Sequence, residues 1–427
     1  MDDSHDTRST LEQISDSLAM YKAATMGMEG EDAPGLGQVA EMLSDYFEEA
    51  VEAKRKGEPL AWVNFGVMTE LFWAMDIVPV IIDVVTGLVA PTPNAMRYID
   101  IAEEQIPDYI CSNNKVLLGA MLAGDIAAPD MIIHPSQPCD SNLATYPVIA
   151  ETFNSPYFCI DVPYFRREKD IQFVAGELER LVTFLEQTTG RKLDYDRLRR
   201  AMEYSNQAHE IYQKISALRE AVPCPYMSLD TLAEYPAVLS LAGRPELVDY
   251  LKGRYEITRA RVDRGEGWLP AEEEKIRLVW IYGAPAFDLF VFMWLENEHG
   301  AVSVANMNSN FVMGPVKDIG STKSILRGLA EKVMQLPMTR ECGGPWENYI
   351  DSSIDLCRRY KADAAVLAGH VACKANWAIM KLVKDKMLEE LGIPTLVLEV
   401  DLFDERITAS EAIQEQFDNF FQAVLKK

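Results

Sequence analysis

The chain has 427 residues, more than the roughly 250–300 at which a single hydrophobic core stops growing, so at least two domains are expected. Apolar residues make up 48% and charged residues 25%, which is ordinary for a packed globular protein. With 66 Asp and Glu against 41 Lys and Arg, the formal net charge of −25 disfavours nucleic acid and anionic membrane as partners. A phosphate-bearing substrate therefore needs a local basic pocket, which the sequence does not locate.

Residues 1–57 are predicted to form a helical N-terminal cap, broken by the segment GMEGEDAPGLG. The first residues, MDDSHDTRSTLEQISDSL, carry acidic side chains where a secretory signal has positive charge, and no apolar core follows them. No uninterrupted apolar run reaches the roughly 18 residues that a membrane-spanning helix needs. These features predict a cytoplasmic protein without a membrane span.

Residues 58–166 alternate between strand-like and helix-like segments, which is typical of βαβ units with a mainly parallel sheet. The predicted strands are LAWVNFG, IVPVIID, PDYICS, DMIIHP and YFCIDVP. Residues 167–270 have apolar spacings of three and four, which predict a helical connecting segment. Residues 271–427 return to strands at IRLVWIYG, AVSVANMN, AAVLAGH and TLVLEVD. The predicted fold class is α/β, with two Rossmann-like or flavodoxin-like parallel-sheet domains.

Three of the seven cysteines share one kind of position, just past a strand-like run and just before a helix-like one. They are Cys111, Cys139 and Cys373, in the contexts PDYICSNNKVLLGAML, PDMIIHPSQPCDSNLATYPVIAETF and ADAAVLAGHVACKANWAIMKLVKDKML. Because ligands collect at the carboxyl ends of parallel strands, these cysteines are predicted to meet in a cleft between the two α/β domains. Three thiolates at helix N-termini suit an iron–sulfur cluster with one iron left open.

The other cysteines carry weaker signals, because a free cysteine is commonly a small buried hydrophobe. Cys159, in YFCIDVP, and Cys357, in IDLCRRY, are predicted to lie in the core. Cys224 and Cys342 lie beside Pro or Gly in loops and receive no assigned role. The chain has no CxxC pair, which argues against a disulfide framework and a zinc ribbon.

Two histidines close predicted strands just before candidate cysteines, His134 before Cys139 and His370 before Cys373. A histidine there can donate a proton to a substrate, since its ordinary pKa lies near physiological pH. The alternative is a strand-end histidine that bonds to the backbone. Asp140 is predicted to cap the helix after Cys139. A group of carboxylates is either solvated or metal-binding, and it comprises Glu399, Asp401 and Asp404.

From about Glu58 to Val424 the chain resembles the large iron–sulfur subunits of the benzoyl-CoA reductase and 2-hydroxyacyl-CoA dehydratase family. The resembling stretches are EAKRKGEPLAWVNFGVMTELFWAMDIVPV, CSNNKVLLG, PCDSN, YFCIDVPYF and LGIPTLVLEVDLFDERITASEAIQEQFDNFF. The most specific is the last, in which Gly-Ile-Pro and then Leu-Glu-Val-Asp follow a cysteine by about twenty residues. Glu70, predicted to begin a helix whose dipole it complements, matches a recurrent acidic residue of the family.

The resemblance implies that Cys111, Cys139 and Cys373 hold a [4Fe–4S] cluster and that the substrate is an acyl-CoA or aryl-CoA thioester. It also implies a related second subunit, or a second copy of this chain, and a separate ATP-hydrolysing iron–sulfur activator that delivers single electrons. An external activator agrees with the absence of a G-x-x-x-x-G-K-[ST] loop and of a G-x-G-x-x-G motif after a strand.

The two branches of this family differ in outcome, since reductases add electrons and protons to an aromatic ring and dehydratases expel a hydroxyl group from a radical anion. The fragments TELFWAMDIVPV and GEGWLPAEEEKIRLVW are closer to the reductase subunit. Several dehydratase subunits carry serines just before the Glu70 motif, where this chain has the segment WVNF. Reduction of an aryl-CoA is therefore the leading prediction and 2-hydroxyacyl-CoA dehydration the alternative. A non-catalytic partner subunit, a double-cubane-type reductase and a metal-free thiol enzyme are further alternatives.

Overall fold

Two parallel sheets organise the protein, whose structure, a computed structural model, describes residues 14, 18 and 35–424. The first sheet has the strand order β2-β1-β3-β4 and contains β1 (Leu60–Val63), β2 (Val78–Ile81), β3 (Ile132–Pro135) and β4 (Tyr157–Ile160). The second has the order β6-β5-β7-β8 and contains β5 (Ile276–Ile281), β6 (Ala301–Asn306), β7 (Ala364–His370) and β8 (Thr395–Val400). All neighbouring strands are parallel. The predicted α/β class with two parallel-sheet domains is confirmed.

Both sheets reverse their strand order at the same place. The chain lays down a central strand, adds the next strand on one side, and then crosses to the other side for the last two. The reversal creates one switch point between β1 and β3 and another between β5 and β7. At a switch point the connections leave towards opposite faces, so a crevice opens at the carboxyl ends of the two strands. Each sheet therefore offers one such crevice.

Most strands are short apolar runs that are buried on both faces, as parallel strands covered by helices are, whereas the edge strands β4 and β8 are partly exposed. All residues of β1, β2, β3 and β7 are buried. The predicted strand PDYICS is wrong, because residues 107–110 form turns instead. In that run Pro107, Asp108 and Tyr109 are exposed and Ile110 alone is buried, so it has too few buried positions for an inner strand.

The helices of the first unit follow the strands in alternation. They are α1 (Leu36–Lys56), α2 (Glu70–Ala74), α3 (Ile82–Val89), α4 (Asn94–Glu103), α5 (Ser112–Leu122) and α6 (Asp140–Phe153). Helix α1 lies within the predicted N-terminal cap, and most of the cap before it lies outside the described residues. The predicted domain boundaries, at 57, 166 and 270, stay predictions.

The connecting segment between the sheets is helical, as its periodicity indicates. It contains α7 (Glu168–Thr189), α8 (Tyr195–Leu218), α9 (Asp230–Ser240) and α10 (Pro245–Arg264). The Asp194 side chain accepts a 2.8 Å hydrogen bond from the Arg197 amide at the start of α8. Gly265 ends α10 with a φ of +69°, a left-handed conformation that glycine adopts without strain.

The second unit contains α11 (Phe290–His299), α12 (Thr322–Gln335), α13 (Trp346–Arg359), α14 (Lys374–Leu391) and α15 (Ser410–Val424). The connecting helices pack against this unit as well, since the Tyr212 hydroxyl donates to the Ser309 carbonyl at 2.9 Å. No helix among residues 14, 18 and 35–424 is long and apolar enough to span a membrane.

Candidate functional site

Three cysteines that are far apart in sequence line one cavity of about 870 Å³. Cys111, Cys139 and Cys373 each stand directly before a helix, α5, α6 and α14 respectively. Cys139 and Cys373 also follow β3 and β7 within a few residues, whereas Cys111 follows a turn. The cavity therefore lies at the carboxyl ends of strands from both sheets, where the two switch points face each other.

Backbone amides at the N-termini of α5, α6 and α14 affect the pKa values of the three cysteine thiols. Burial raises the pKa of the Cys111 thiol well above its ordinary value and that of the Cys139 thiol to about 12. The Asn113 amide opposes that rise at Cys111, and the Asn142 amide opposes it at Cys139. Burial also raises the pKa of the Cys373 thiol, against the Asn376 amide. The helix N-termini thus offer donors to negative sulfurs that burial otherwise keeps neutral.

The three thiols are close enough to repel one another when ionised. A negative charge on Cys139 or Cys373 raises the pKa of Cys111, and a charge on Cys373 raises that of Cys139. Three thiolates can share such a site when a positively charged group lies among them, because coordination by a metal favours the deprotonated sulfur.

His370 contacts one of the thiols. Its Nε2 atom lies 3.0 Å from the Cys111 Sγ, and its Nδ1 accepts a hydrogen bond from the Leu402 amide at 3.2 Å. The accepting role of Nδ1 leaves the ring proton on Nε2, so His370 donates to the sulfur. Burial lowers the pKa of His370 against the attraction of Asp401, whose Oδ2 lies 3.7 Å from Nδ1.

His134 lies apart from the thiol cavity. Its Nδ1 donates to the Pro135 carbonyl at 2.9 Å, and its Nε2 accepts from the Tyr157 hydroxyl at 2.5 Å. Both ring nitrogens are therefore occupied, and the side chain is buried. Burial lowers the pKa of His134 to about 4. This arrangement fits the alternative structural role of a strand-end histidine.

Glu70 begins α2, as predicted, but its side chain points into a separate cavity of about 50 Å³. It accepts hydrogen bonds from the Lys332 ammonium at 2.7 Å and from the Ser205 hydroxyl at 2.6 Å. Burial disfavours its charge, yet Lys332 and Ser205 hold the pKa of Glu70 below its ordinary value. The structure does not bring Glu70 to the three cysteines.

Sequence reasoning missed three residues that line the thiol cavity, Cys342, Tyr282 and Asp83. Burial and charges on Cys373 raise the pKa of both Cys342 and Tyr282 well above their ordinary values. The sequence signal for Cys342 is the following Gly343, where an added Cβ would lie 2.9 Å from the Cβ of Gln137. A glycine there allows the loops of Cys342 and Cys139 to approach closely.

Asp83 is a partly buried carboxylate that anchors the loop after β1. Its oxygens accept from the Asn64 side chain at 2.9 Å, the Phe65 amide at 3.0 Å and the Asn113 side chain at 2.7 Å. Burial raises the pKa of Asp83 to about 6 despite these donors. Through Asn113, two residues after Cys111, this carboxyl couples the end of β1 to the start of α5.

The remaining sequence-predicted residues divide between core and surface. Cys357 is fully buried as predicted, whereas Cys159 is half-buried. Asp140 is the first residue of α6 and makes no capping bond, because Cys139 occupies the N-cap position. Glu399 is exposed, and Asp404 pairs with Arg406 at 2.8 Å. In the described part of the chain, no three His, Cys, Asp or Glu side chains are grouped closely enough for a single metal ion.

An iron–sulfur cluster makes a different demand, because each cysteine binds a different iron and the sulfurs need not converge on one point. The cavity offers what such a cluster requires, namely several thiols around one space, amide donors at helix N-termini and an N–H donor from His370. Cys111, Cys139 and Cys373 therefore fit the group that the sequence predicts.

Much of the cavity wall is apolar. The contributing side chains include Phe65, Leu88, Ile110, Leu239 and Phe287. Binding sites for small molecules have volumes of about 300–1,000 Å³ and mostly apolar walls with a few polar groups, which describes this cavity. Phe290, which is 72% exposed, stands at its edge. The cavity can therefore enclose an apolar group beside the thiols.

Two parallel sheets with facing switch points and a thiol-lined cavity define an α/β protein with a binding site between its sheets. Residues 65–424 match the family described as 2-hydroxyglutaryl-CoA dehydratase, D-component. Because this match covers most of the chain, the protein belongs to that family. The family membership predicted from the sequence is confirmed.

Three relatives illustrate the spread of the family. One subunit of the benzoyl-CoA reductase of Thauera aromatica is 24% identical over 423 residues, covering 91% of this chain and 94% of the relative. The (R)-phenyllactyl-CoA dehydratase alpha subunit of Clostridium sporogenes is 22% identical, covering 88% of this chain and 91% of the relative. The alpha subunit of (R)-2-hydroxyglutaryl-CoA dehydratase from Acidaminococcus fermentans is 21% identical, covering 65% and 57%. All three relatives are thus subunits of enzymes that act on CoA thioesters.

Proposed function

We propose that this protein is the iron–sulfur subunit of a low-potential enzyme that reduces an aryl-CoA thioester, of the benzoyl-CoA reductase kind. The observation that carries the proposal is the shared cavity of Cys111, Cys139 and Cys373. The three thiols lie on separate loops of two sheets, and the fold itself does not require them to be close together. A bound cofactor supplies a reason for that convergence.

Cys111, Cys139 and Cys373 would hold a [4Fe–4S] cluster, which when bound supplies single electrons at low potential. The residues of this chain hold negative charge on the sulfurs, through the helix-terminal amides and the Nε2 proton of His370. Cys342 lines the same cavity and is a candidate for further contact with the group.

The apolar wall supports an aryl substrate. Phe65, in the segment where several dehydratase subunits carry serines, lines the cavity, excludes water from it and offers a surface for an aromatic ring. Exclusion of water strengthens the electrostatic interactions inside the site and protects a reactive intermediate from side reactions. Two ionisable groups line the cavity with the thiols. The pKa of Tyr282 is raised well above its ordinary value by burial, so its hydroxyl keeps its proton, and the pKa of the Asp83 carboxyl is raised to about 6.

The proposal includes partners. The relatives carry names of enzyme subunits, which supports a related second subunit or a second copy of this chain. A separate ATP-hydrolysing iron–sulfur activator would deliver the electrons, in the cytoplasm.

A second candidate is dehydration of a 2-hydroxyacyl-CoA thioester. The observation in its favour is that several relatives, including the phenyllactyl-CoA and lactoyl-CoA enzymes, are dehydratase subunits. Phenyllactyl-CoA itself carries an aromatic ring, so an apolar cavity accommodates that substrate as well. The two candidates are separated by assaying aryl-CoA and 2-hydroxyacyl-CoA thioesters side by side with activator, ATP and a reductant.

The first experiment measures iron and acid-labile sulfide in anaerobically purified wild type and in the Cys111→Ala, Cys139→Ala and Cys373→Ala variants. About four irons per chain, lost in each variant, support the cluster. The matched control is Cys159→Ala, a half-buried thiol outside the cavity, which keeps its iron. Wild type without iron after reconstitution would contradict the proposal and favour a scaffold subunit or a thiol enzyme with one essential cysteine.

A further inference from the structure

A second large cleft lies on the protein, and the segment 338–342 separates it from the thiol cavity. It has a volume of about 1320 Å³ and is bounded by one face of α12, one face of α13 and the loop 310–318. The α12 residues on its wall recur at spacings of three and four, as Ser324, Arg327, Gly328 and Glu331 do. The cleft is therefore built from the polar faces of two amphipathic helices.

The cleft is basic although the chain is strongly acidic. Seven Lys and Arg side chains line it against three Asp and Glu side chains, whereas the whole chain has a formal net charge of −25. Three of the seven, Arg327, Arg359 and Lys332, form close ion pairs with carboxylates. The other four have weaker neutralising partners or none among the described residues, and they are Arg166, Lys317, Arg340 and Arg358.

Among these four residues, Arg166 is held by neutral backbone groups rather than by a carboxylate. Its guanidinium donates to the Met334 carbonyl at 2.9 Å and to the Thr339 carbonyl at 2.7 Å. No carboxylate of the described residues lies within ion-pair distance of it, so its direct partners are neutral carbonyls. Burial lowers the pKa of Arg166 to about 10. The Pro163, Tyr164 and Gly343 carbonyls accept its remaining N–H groups, so all five donors are occupied. Arg166 therefore contributes a positive field to the wall of the cleft but has no N–H group left for a ligand.

Two more cations face the cleft with little compensation. Lys317 is exposed on the loop and has no partner among residues 35–424. Arg340 has its nearest carboxylate, Glu341, at 3.7 Å. That carboxylate already accepts from the Ser352 hydroxyl at 2.8 Å and from the Met338 amide at 3.0 Å. The guanidinium of Arg340 is therefore available to a ligand.

The segment that carries Arg340 separates the cleft from the thiol cavity. Met338 and Cys342 line the cavity, whereas Arg340, between them in sequence, lines the cleft. A molecule with phosphates at one end and a thioester at the other, joined by a long flexible arm, has the chemistry that these two neighbouring sites accept. The loop wall adds apolar groups, Val312 and Met313, suited to the face of a nucleobase.

We propose that this cleft binds the phosphate-bearing nucleotide end of the CoA thioester, with Lys317, Arg340 and Arg358 facing its diphosphate and ribose phosphate. Arg166 adds positive charge from the wall of the cleft. The inference rests on the proposed function for the identity of the ligand. Guanidinium groups bind phosphate oxygens in bidentate pairs, which makes Arg suited to this task.

Calorimetric titration of the full chain with CoA and with adenosine 3′,5′-bisphosphate tests the site, because neither ligand requires turnover. The test variant is Lys317→Gln combined with Arg340→Gln, and the matched control is Lys381→Gln, an exposed lysine on α14. We expect the test variant to bind both ligands at least about tenfold more weakly, and the control to match wild type. Pantetheine, which lacks the phosphates, should bind wild type and test variant equally.

A second variant distinguishes a loss of the binding site from a loss of folding. Arg358→Glu changes a guanidinium that is 60% exposed and lies 3.7 Å from Asp355, its ion-pair partner. It should retain the wild-type melting temperature and still weaken CoA binding. Wild-type affinity for CoA in both variants would overturn the inference, whether or not thioesters are turned over. A different result would overturn the proposed function alone. In that case the wild type would contain no iron and would not turn over thioesters, but the cleft variants would still bind CoA more weakly than the wild type.

Discussion

The Nε2 atom of His370 lies 3.0 Å from the Sγ atom of Cys111 and carries the proton of that ring. His370 ends β7 and Cys111 precedes α5 of the other unit, so this contact links the two sheets across the cavity. A donor to a cluster-binding sulfur stabilises negative charge there and thereby influences both metal retention and redox potential.

We expect His370→Ala to weaken iron retention or activity by about 10- to 100-fold, the usual effect of losing a hydrogen bond to a metal ligand. In the fraction that retains iron, the reduction potential of the proposed cluster should become more negative, because the N–H donor no longer stabilises the added electron. A redox titration followed by electron paramagnetic resonance measures that shift. An unchanged potential would show that the contact does not act on the sulfur.

The buried pair of Glu70 and Lys332 should govern stability rather than turnover. Glu70→Gln leaves the Lys332 ammonium buried without its counter-charge and should lower the free energy of unfolding by about 3–5 kcal/mol. Urea denaturation measures the loss. The double variant Glu70→Gln and Lys332→Met should recover much of it, since no unpaired charge then remains.

The same pair predicts a pH dependence. The pKa of Glu70 is lowered below its ordinary value of 4.5 in the folded protein, so its contribution is present above that pH. It is lost as the pH falls below about 4.5 towards the folded pKa, because the unfolded chain binds the proton first. Unfolding curves between about pH 3 and 6 should therefore show a steeper acid loss in wild type than in Glu70→Gln.

Two histidines add a second acid transition. Burial lowers the pKa of His134 and His209 from 6.5 to about 4. Between these values the unfolded chain binds protons that the folded chain refuses, so the free energy of unfolding falls as the pH drops from about 6.5 to about 4. Each ring can contribute up to about 3 kcal/mol over that range. Urea unfolding of His209→Asn should show a pH slope reduced by about one proton, and a slope equal to wild type would contradict this assignment.

Phe65 provides a test of substrate choice. Phe65→Ser removes an apolar ring from the cavity wall and should raise KM for an aryl-CoA thioester about tenfold or more, since burial of a Phe contributes about 1.5–3 kcal/mol. The control is Phe165→Ser, whose ring is 50% exposed and does not line the cavity. Steady-state kinetics with activator and ATP measure both variants, and equal KM values would place the aryl group elsewhere.

Local sequence patterns were sufficient to predict most strands, most helices and the family to which the chain belongs. β7 coincides with the predicted AAVLAGH, because inner parallel strands are continuous apolar runs. The edge strand β8 also lies within the predicted TLVLEVD. The three cysteines were recognised by a local feature too, a thiol between a strand-like run and a helix-like one. That local argument failed at PDYICS, where apolar character was present without burial on both faces.

Only the tertiary structure determined which residues line the cavity and the cleft. Their proximity depends on how loops from the two sheets meet, and no periodic pattern in the sequence predicts that arrangement. His134 and His370 look alike as strand-end histidines, yet only His370 reaches a thiol of the cavity. Cys342 joins the cavity through the close approach of Gly343 to Gln137, and Glu70 leaves it to pair with Lys332. The basic cleft, likewise, gathers arginines and lysines that are scattered along an acidic chain.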